Sequence, residues 1–162
     1  MLEQIINVSN TNAYLFEKAV SDIPEHLLCD QSKGFPNHPL WLLGHVALAR
    51  SAAVRSLGGE FDFPESWAKL FGRGSEPVSD PSAYPTRAEL LAKYKQAATA
   101  FAQLAPRATP EMLSAPHAIV PLQGVFKTVG DLVSGITTLH DALHLGQLTA
   151  WRRLMGMPSL MG

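Results

Sequence analysis

The chain has 162 residues, 46% hydrophobic and 17% charged, with 13 Lys+Arg against 14 Asp+Glu and a formal net charge of −1. This length suits a single domain over residues 1–162 with a real core. The even charge balance, without a basic tail or stripe, argues against nucleic-acid binding.

No run of about 18 apolar residues is free of charges and breakers, so a transmembrane helix and a membrane role are not expected. Met1-Leu2-Glu3-Gln4 lacks the basic and apolar regions of a secretion signal. The lone Cys29 cannot form an internal disulfide; it suits a reducing cytoplasm and reads as a small buried hydrophobe. Low charge with a high apolar share also points to extra buried surface, and so to a homodimer.

Residues 2–21 read as a first helix, in which Ile5, Ile6, Tyr14, Leu15 and Ala19 make a roughly helical apolar stripe. Pro24 and the stretch from Asp30 to Pro36 break the pattern. A second helix starts at Asn37-His38-Pro39, with Asn37 or His38 as its cap. It runs through Trp41, Leu42, His45, Val46, Leu48, Ala49, Ala52 and Val54 and stops at Gly58-Gly59.

Residues 58–85 mix Gly and Pro with Phe61, Phe63, Trp67, Phe71 and Tyr84, and read as a long crossover with aromatic anchors. Thr86-Arg87-Ala88-Glu89 is a capping-box match that opens a third helix, continuing to Leu104 and ending before Pro106. Thr109-Pro110-Glu111 looks like the start of a short helix, and residues 114–127 suggest a short extended segment over Ile119 and Val120. A last helix begins near Thr128, with Asp131 completing a weaker box, and reaches about Leu154. Leu132, Val133, Ile136, Leu139, Leu143, Leu145, Leu148 and Trp151 lie nearly all round it, which predicts a central, buried helix. The sum is an all-α fold: a four-helix bundle with a long crossover between helices two and three.

His140 and His144 stand four residues apart on the last helix, so both imidazoles leave one face, with Gln147 on the same stripe. That spacing suits two ligands of one metal ion, and His45 on the second helix can supply a third nitrogen. The competing reading of His140 and His144 is two packed histidines, each donating to a backbone carbonyl. Burying imidazoles in the most apolar helices carries a desolvation cost, which favours the shared metal without deciding it. His38 is accounted for as a cap; His26 and His117 read as exposed. Asp141 follows His140 where a zinc peptidase has glutamate, but it is a methylene short and the downstream ligand is missing, so that class is set aside.

Trp41-Leu42-Leu43-Gly44-His45, then His140-x3-His144-x-Gly146-Gln147-Leu148, then Arg152-Arg153-Leu154 and Gly156-x-Pro158, resemble the DinB-like superfamily in order and spacing. The resemblance covers nearly the whole chain. It implies a four-helix protein with a divalent ion held by three histidines, here His45, His140 and His144. It also implies chemistry like that of characterised relatives, which include thiol S-transferases and a thiol-dependent isomerase. The chain stops soon after the last helix, so the appended domain of some relatives is not expected.

Three imidazoles leave zinc with an open position, and nickel or iron also accepts nitrogen ligands. A thiol taken up there would be acidified, giving S-transfer onto a small-molecule electrophile; water would instead give hydrolysis. The alternative class is a non-catalytic helical interaction module with a structural metal or none. Gln147 can orient a ligand or simply pack. Trp41, four residues before His45, can wall the site or pack the core. Trp67 and Phe71 can lid the pocket or fill the bundle's end.

Overall fold

Four long helical stretches carry the chain in a computed structural model that describes residues 2–160; Met1, Met161 and Gly162 lie outside the described residues. They are α1 (Glu3–Ser21), α2 (Pro39–Ser56), α4 (Arg87–Leu104) and a final run made of α6 (Val129–Ser134), a π-helical turn over Gly135–His140, and α7 (Asp141–Leu154). Two shorter helices, α3 (Glu65–Phe71) and α5 (Pro110–Ser114), lie in the connections. The fold is all-helical, with no strand among the described residues.

Local chemistry sets these starts. His38 caps α2: its Nδ1 accepts the Trp41 amide at 3.1 Å, ahead of Pro39 in the first turn. At α4, Thr86 Oγ1 accepts the Glu89 amide while the Glu89 carboxylate accepts the Thr86 amide, a full capping box. Thr128 and Asp131 repeat the box at α6.

The core falls into two apolar clusters. One gathers Phe16, Leu42, Leu43, Val46, Phe71, Leu90, Tyr94, Leu148 and Trp151. The other gathers Ala53, Val54, Leu57, Ala97, Phe101, Leu132, Val133 and Ile136. Between them along the chain, α1, α2 and α7 each contribute buried polar residues: Ser9 and Asn12, Arg50 and Ser51, and Asp141. A polar layer therefore crosses the middle of the molecule. At one end, Arg152 donates to the Ala19 carbonyl at 2.8 Å and pairs with both oxygens of Asp22, while Arg87 reaches the carbonyls of Val20, Ser21 and Ile23. Two guanidinium groups thus satisfy the carbonyls left open where α1 ends.

Four expectations change. The crossover is not all loop: it folds into α3 and a 3₁₀ turn at Pro81–Ala83. Its Phe71 ring is fully buried against Gly44, where a Cβ would lie 2.3 Å from the ring. The expected extended segment is instead a 3₁₀ turn at Val120–Leu122, because Pro121 offers no amide to a ladder and the described residues contain no strand to pair with. The last helix is not buried all round: Leu139, Leu143 and Leu154 are more than half exposed, and paired Asp141 and Arg152 take interior positions instead. His117 is buried, not exposed. Its Nε2 donates to the Phe126 carbonyl and its Nδ1 accepts the Ile119 amide, which staples the loop.

Candidate metal centre

α2 brings His45 to the seam with the final run, and that run brings His140 at the end of its π turn and His144 one turn later. A π turn adds a residue to the helical circuit and is common where a side chain must be re-aimed. Here it is supported from several sides. The Thr137 and Thr138 hydroxyls donate back to the carbonyls of Val133 and Ser134 at 2.8 and 2.7 Å. From α1, Asn12 Nδ2 donates to the carbonyls of Thr137 and Thr138 at 3.2 and 2.9 Å. The Phe126 ring occupies the space that a Cβ on Gly135 would need, 2.3 Å away.

The three Nε2 atoms converge. That of His140 lies 3.1 Å from His45 Nε2 and 3.2 Å from His144 Nε2. The other ring nitrogens are turned away. His45 Nδ1–H donates to the Phe71 carbonyl at 2.7 Å, and His144 Nδ1–H donates to Gln147 Oε1 at 3.1 Å. A carbonyl can only accept, so these bonds put the protons on Nδ1 and leave the Nε2 lone pairs facing His140. One proton on His140 Nε2 can satisfy one of those lone pairs, not both. A cation at the meeting point satisfies all three. Two zinc–nitrogen bonds of roughly 2.0–2.1 Å at a tetrahedral angle hold their nitrogens about 3.3 Å apart, close to these separations.

Electrostatics favours the neutral ligand form. Burial, with the neighbouring His144 and His45 acting the same way, pushes the His140 imidazole down to about 3. Burial lowers His144 to about 4, assisted by His45 and opposed by the Gln147 hydrogen bond. Burial also lowers His45, against the pull of the Phe71 carbonyl. Three neutral imidazoles with aligned lone pairs are what a divalent ion requires at neutral pH. All three side chains are half-buried, so the cluster meets solvent on one flank.

Trp41 is buried and packs on His45. Its indole stacks on His45, centroids 4.7 Å apart and planes 10° apart, and its Nε1 donates to the Leu70 carbonyl and Ser75 Oγ, each at 3.1 Å. Gln147 is exposed and orients His144; Asn37 Nδ2 reaches its Oε1 at 3.5 Å. The crossover enters the site through the Phe71 carbonyl, while its ring packs beneath. Trp67 packs edge-on against Phe63. His26, His38 and His117 stand outside the cluster. Burial pushes the Cys29 thiol up to about 11, with Asp80 adding to the shift, so it is no thiolate at neutral pH.

A buried polar network, which the sequence does not signal, lies beside the cluster. Arg50 and Asp141 form a fully buried ion pair, Nε to Oδ2 at 2.6 Å. Arg50 also donates to Ser9 Oγ at 3.2 Å and the Ser9 carbonyl at 2.9 Å, and the Tyr94 hydroxyl donates to the same Asp141 oxygen at 3.2 Å. Desolvation raises the Asp141 carboxyl and Arg50 pulls it back.

Residues 11–148 match the family model described as the DinB superfamily, a span that includes all three histidines and both members of the ion pair. The chain belongs to that superfamily. No curated protein matches it.

Proposed function

We propose that this member of the DinB superfamily is a metal-dependent thiol S-transferase in which His45, His140 and His144 hold one divalent ion, zinc or nickel before iron. The observation that carries the reading is the convergence of three Nε2 atoms whose lone pairs have no adequate set of protons to meet. Such an ion would supply Lewis acidity that lowers the pKa of a low-molecular-weight thiol and makes it nucleophilic near neutral pH.

The protein's own residues do the rest. The Phe71 carbonyl and Gln147 fix the ring planes of His45 and His144. Trp41 covers one face of His45 and keeps water from it. Gln147, exposed beside His144, is placed to hold a polar group of the incoming molecule. The half-buried histidines leave a flank from which a small substrate would approach the ion. In the reaction one carbon–sulfur bond forms at an electrophilic carbon, the leaving group departs with its electron pair, and the thiol proton passes to solvent. Cys29, buried and protonated, takes no part.

The surrounding architecture reads as a four-helix bundle formed by α1, α2, α4 and the final run. The exposed Leu139 and Leu143 beside the site, with Val8 and Tyr14 on α1, support a homodimer. No helix of the described residues is long and apolar enough to cross a membrane, and the single free thiol supports work in the cytoplasm.

The test is thiol consumption with an alkylating electrophile by zinc-loaded protein, chelator-stripped protein and His144→Ala. Turnover restored by zinc to the stripped protein and absent from the variant supports S-transfer. Bound metal without turnover across a panel of thiols and electrophiles refutes catalysis and leaves the structural reading.

A further inference from the structure

The three histidines are not held alike. His45 and His144 are each oriented by a hydrogen bond from Nδ1, whereas His140 Nδ1 is buried with no hydrogen-bond partner among the described residues. Something other than its own ring must aim His140. It ends the π turn, and the next residue is Asp141. Arg50, the partner of Asp141, lies five positions beyond His45 on α2. The ion pair therefore joins the two helices that carry the cluster, next to His140 on one and about a turn and a half from His45 on the other. It is anchored to α1 through Ser9 and to α4 through Tyr94. α1 also holds the π turn itself, one turn along, through Asn12.

We propose that the buried Arg50–Asp141 pair, with Ser9 and Tyr94, is a positioning device that sets the rotation of His140 and so the geometry of the metal centre. The proposal rests on the metal reading above. Two physical arguments support it. Buried ion pairs contribute little net stability relative to apolar replacements of similar volume, so a stability role alone explains this one poorly. And a guanidinium fixed by two bonds to Ser9 aims its Nε–H at Asp141 Oδ2, which directs that carboxylate more sharply than apolar contact can. With Asp141 pinned, the helix is held in the rotation that presents His140 to His45.

The test uses cobalt(II), whose visible absorption reports coordination number and symmetry. Ser9→Ala, Arg50→Met, Tyr94→Phe and Asp141→Leu are combined, so that no buried charge or hydroxyl of the network is orphaned. We expect this variant to keep its helical content and melting temperature, to bind cobalt about ten- to a hundredfold more weakly, and to show an altered spectrum. Wild-type affinity and spectrum in the folded variant overturn the proposal. If the combination does not fold, Tyr94→Phe alone is read: a shifted cobalt spectrum supports the device, and an unchanged one overturns it. A wild-type protein that gives no cobalt spectrum refutes the metal reading itself, a result distinct from either.

Discussion

The histidine cluster and the Arg50–Asp141 pair both join α2 to the final helical run, within about a turn and a half of each other, yet they are built on opposite principles. The cluster is half-buried, uncharged and left with more lone pairs than protons. The pair is fully buried, oppositely charged, and closed off by Ser9 and Tyr94. A site that must accept an ion and a substrate keeps its polar valence open. The pair excludes water and holds its geometry through Asp141 Oδ2, which meets both Arg50 and Tyr94, while Asp141 Oδ1 is buried without a hydrogen-bond partner. The contrast also assigns different penalties: loss of a histidine should be felt in ligand binding, loss of a charge in folding.

The largest effect should come from breaking the closed site. Asp141→Ala leaves the Arg50 guanidinium buried without its counter-charge and should cost about 3–5 kcal/mol in chemical denaturation. A loss below about 1 kcal/mol would mean that water reaches Arg50 and that the pair is not sealed. Next is Gly44→Ala, which pushes a methyl into the Phe71 ring. Overpacking of this kind should cost about 1–3 kcal/mol and, by moving the Phe71 carbonyl off His45, should weaken metal binding as well. Stability lost with metal affinity unchanged would separate the two regions.

Gln147→Ala tests the open site from its rim. With an exposed side chain, it should leave stability within about 0.5 kcal/mol while metal affinity falls about tenfold through the loss of the His144 anchor. The smallest effect concerns Cys29. Its thiol, raised from near 9 to about 11, should alkylate at pH 8 about a hundredfold more slowly than a free cysteine. Iodoacetamide labelling followed by mass spectrometry measures this, and rapid labelling would contradict the burial.

Local signals were legible in the sequence. Thr86 with Glu89, Thr128 with Asp131, and His38 before Pro39 each announced a helix start, because a cap is a contact over three residues. The His140–His144 spacing was legible for the same reason, and His45 followed from a second apolar helix. The ion pair was not, since Arg50 and Asp141 are 91 positions apart and each looks like an ordinary surface charge until the helices pack. The π turn was equally silent: it depends on Asn12 reaching over from α1 and on Phe126 filling the space at Gly135. His117 looked exposed because its two partners, Phe126 and Ile119, become visible only when the loop closes. Leu139 and Leu143 were misread as interior because the sequence shows apolarity but not which face the π turn presents.

The central claim is that one divalent ion sits among His45, His140 and His144, and elemental analysis of protein purified without a metal-affinity tag tests it most directly. The account predicts about one zinc or nickel per chain, lost in both His45→Ala and His144→Ala while their helical content remains. Wild-type protein without metal that also fails to take up added zinc, or variants that retain a full equivalent, would contradict it.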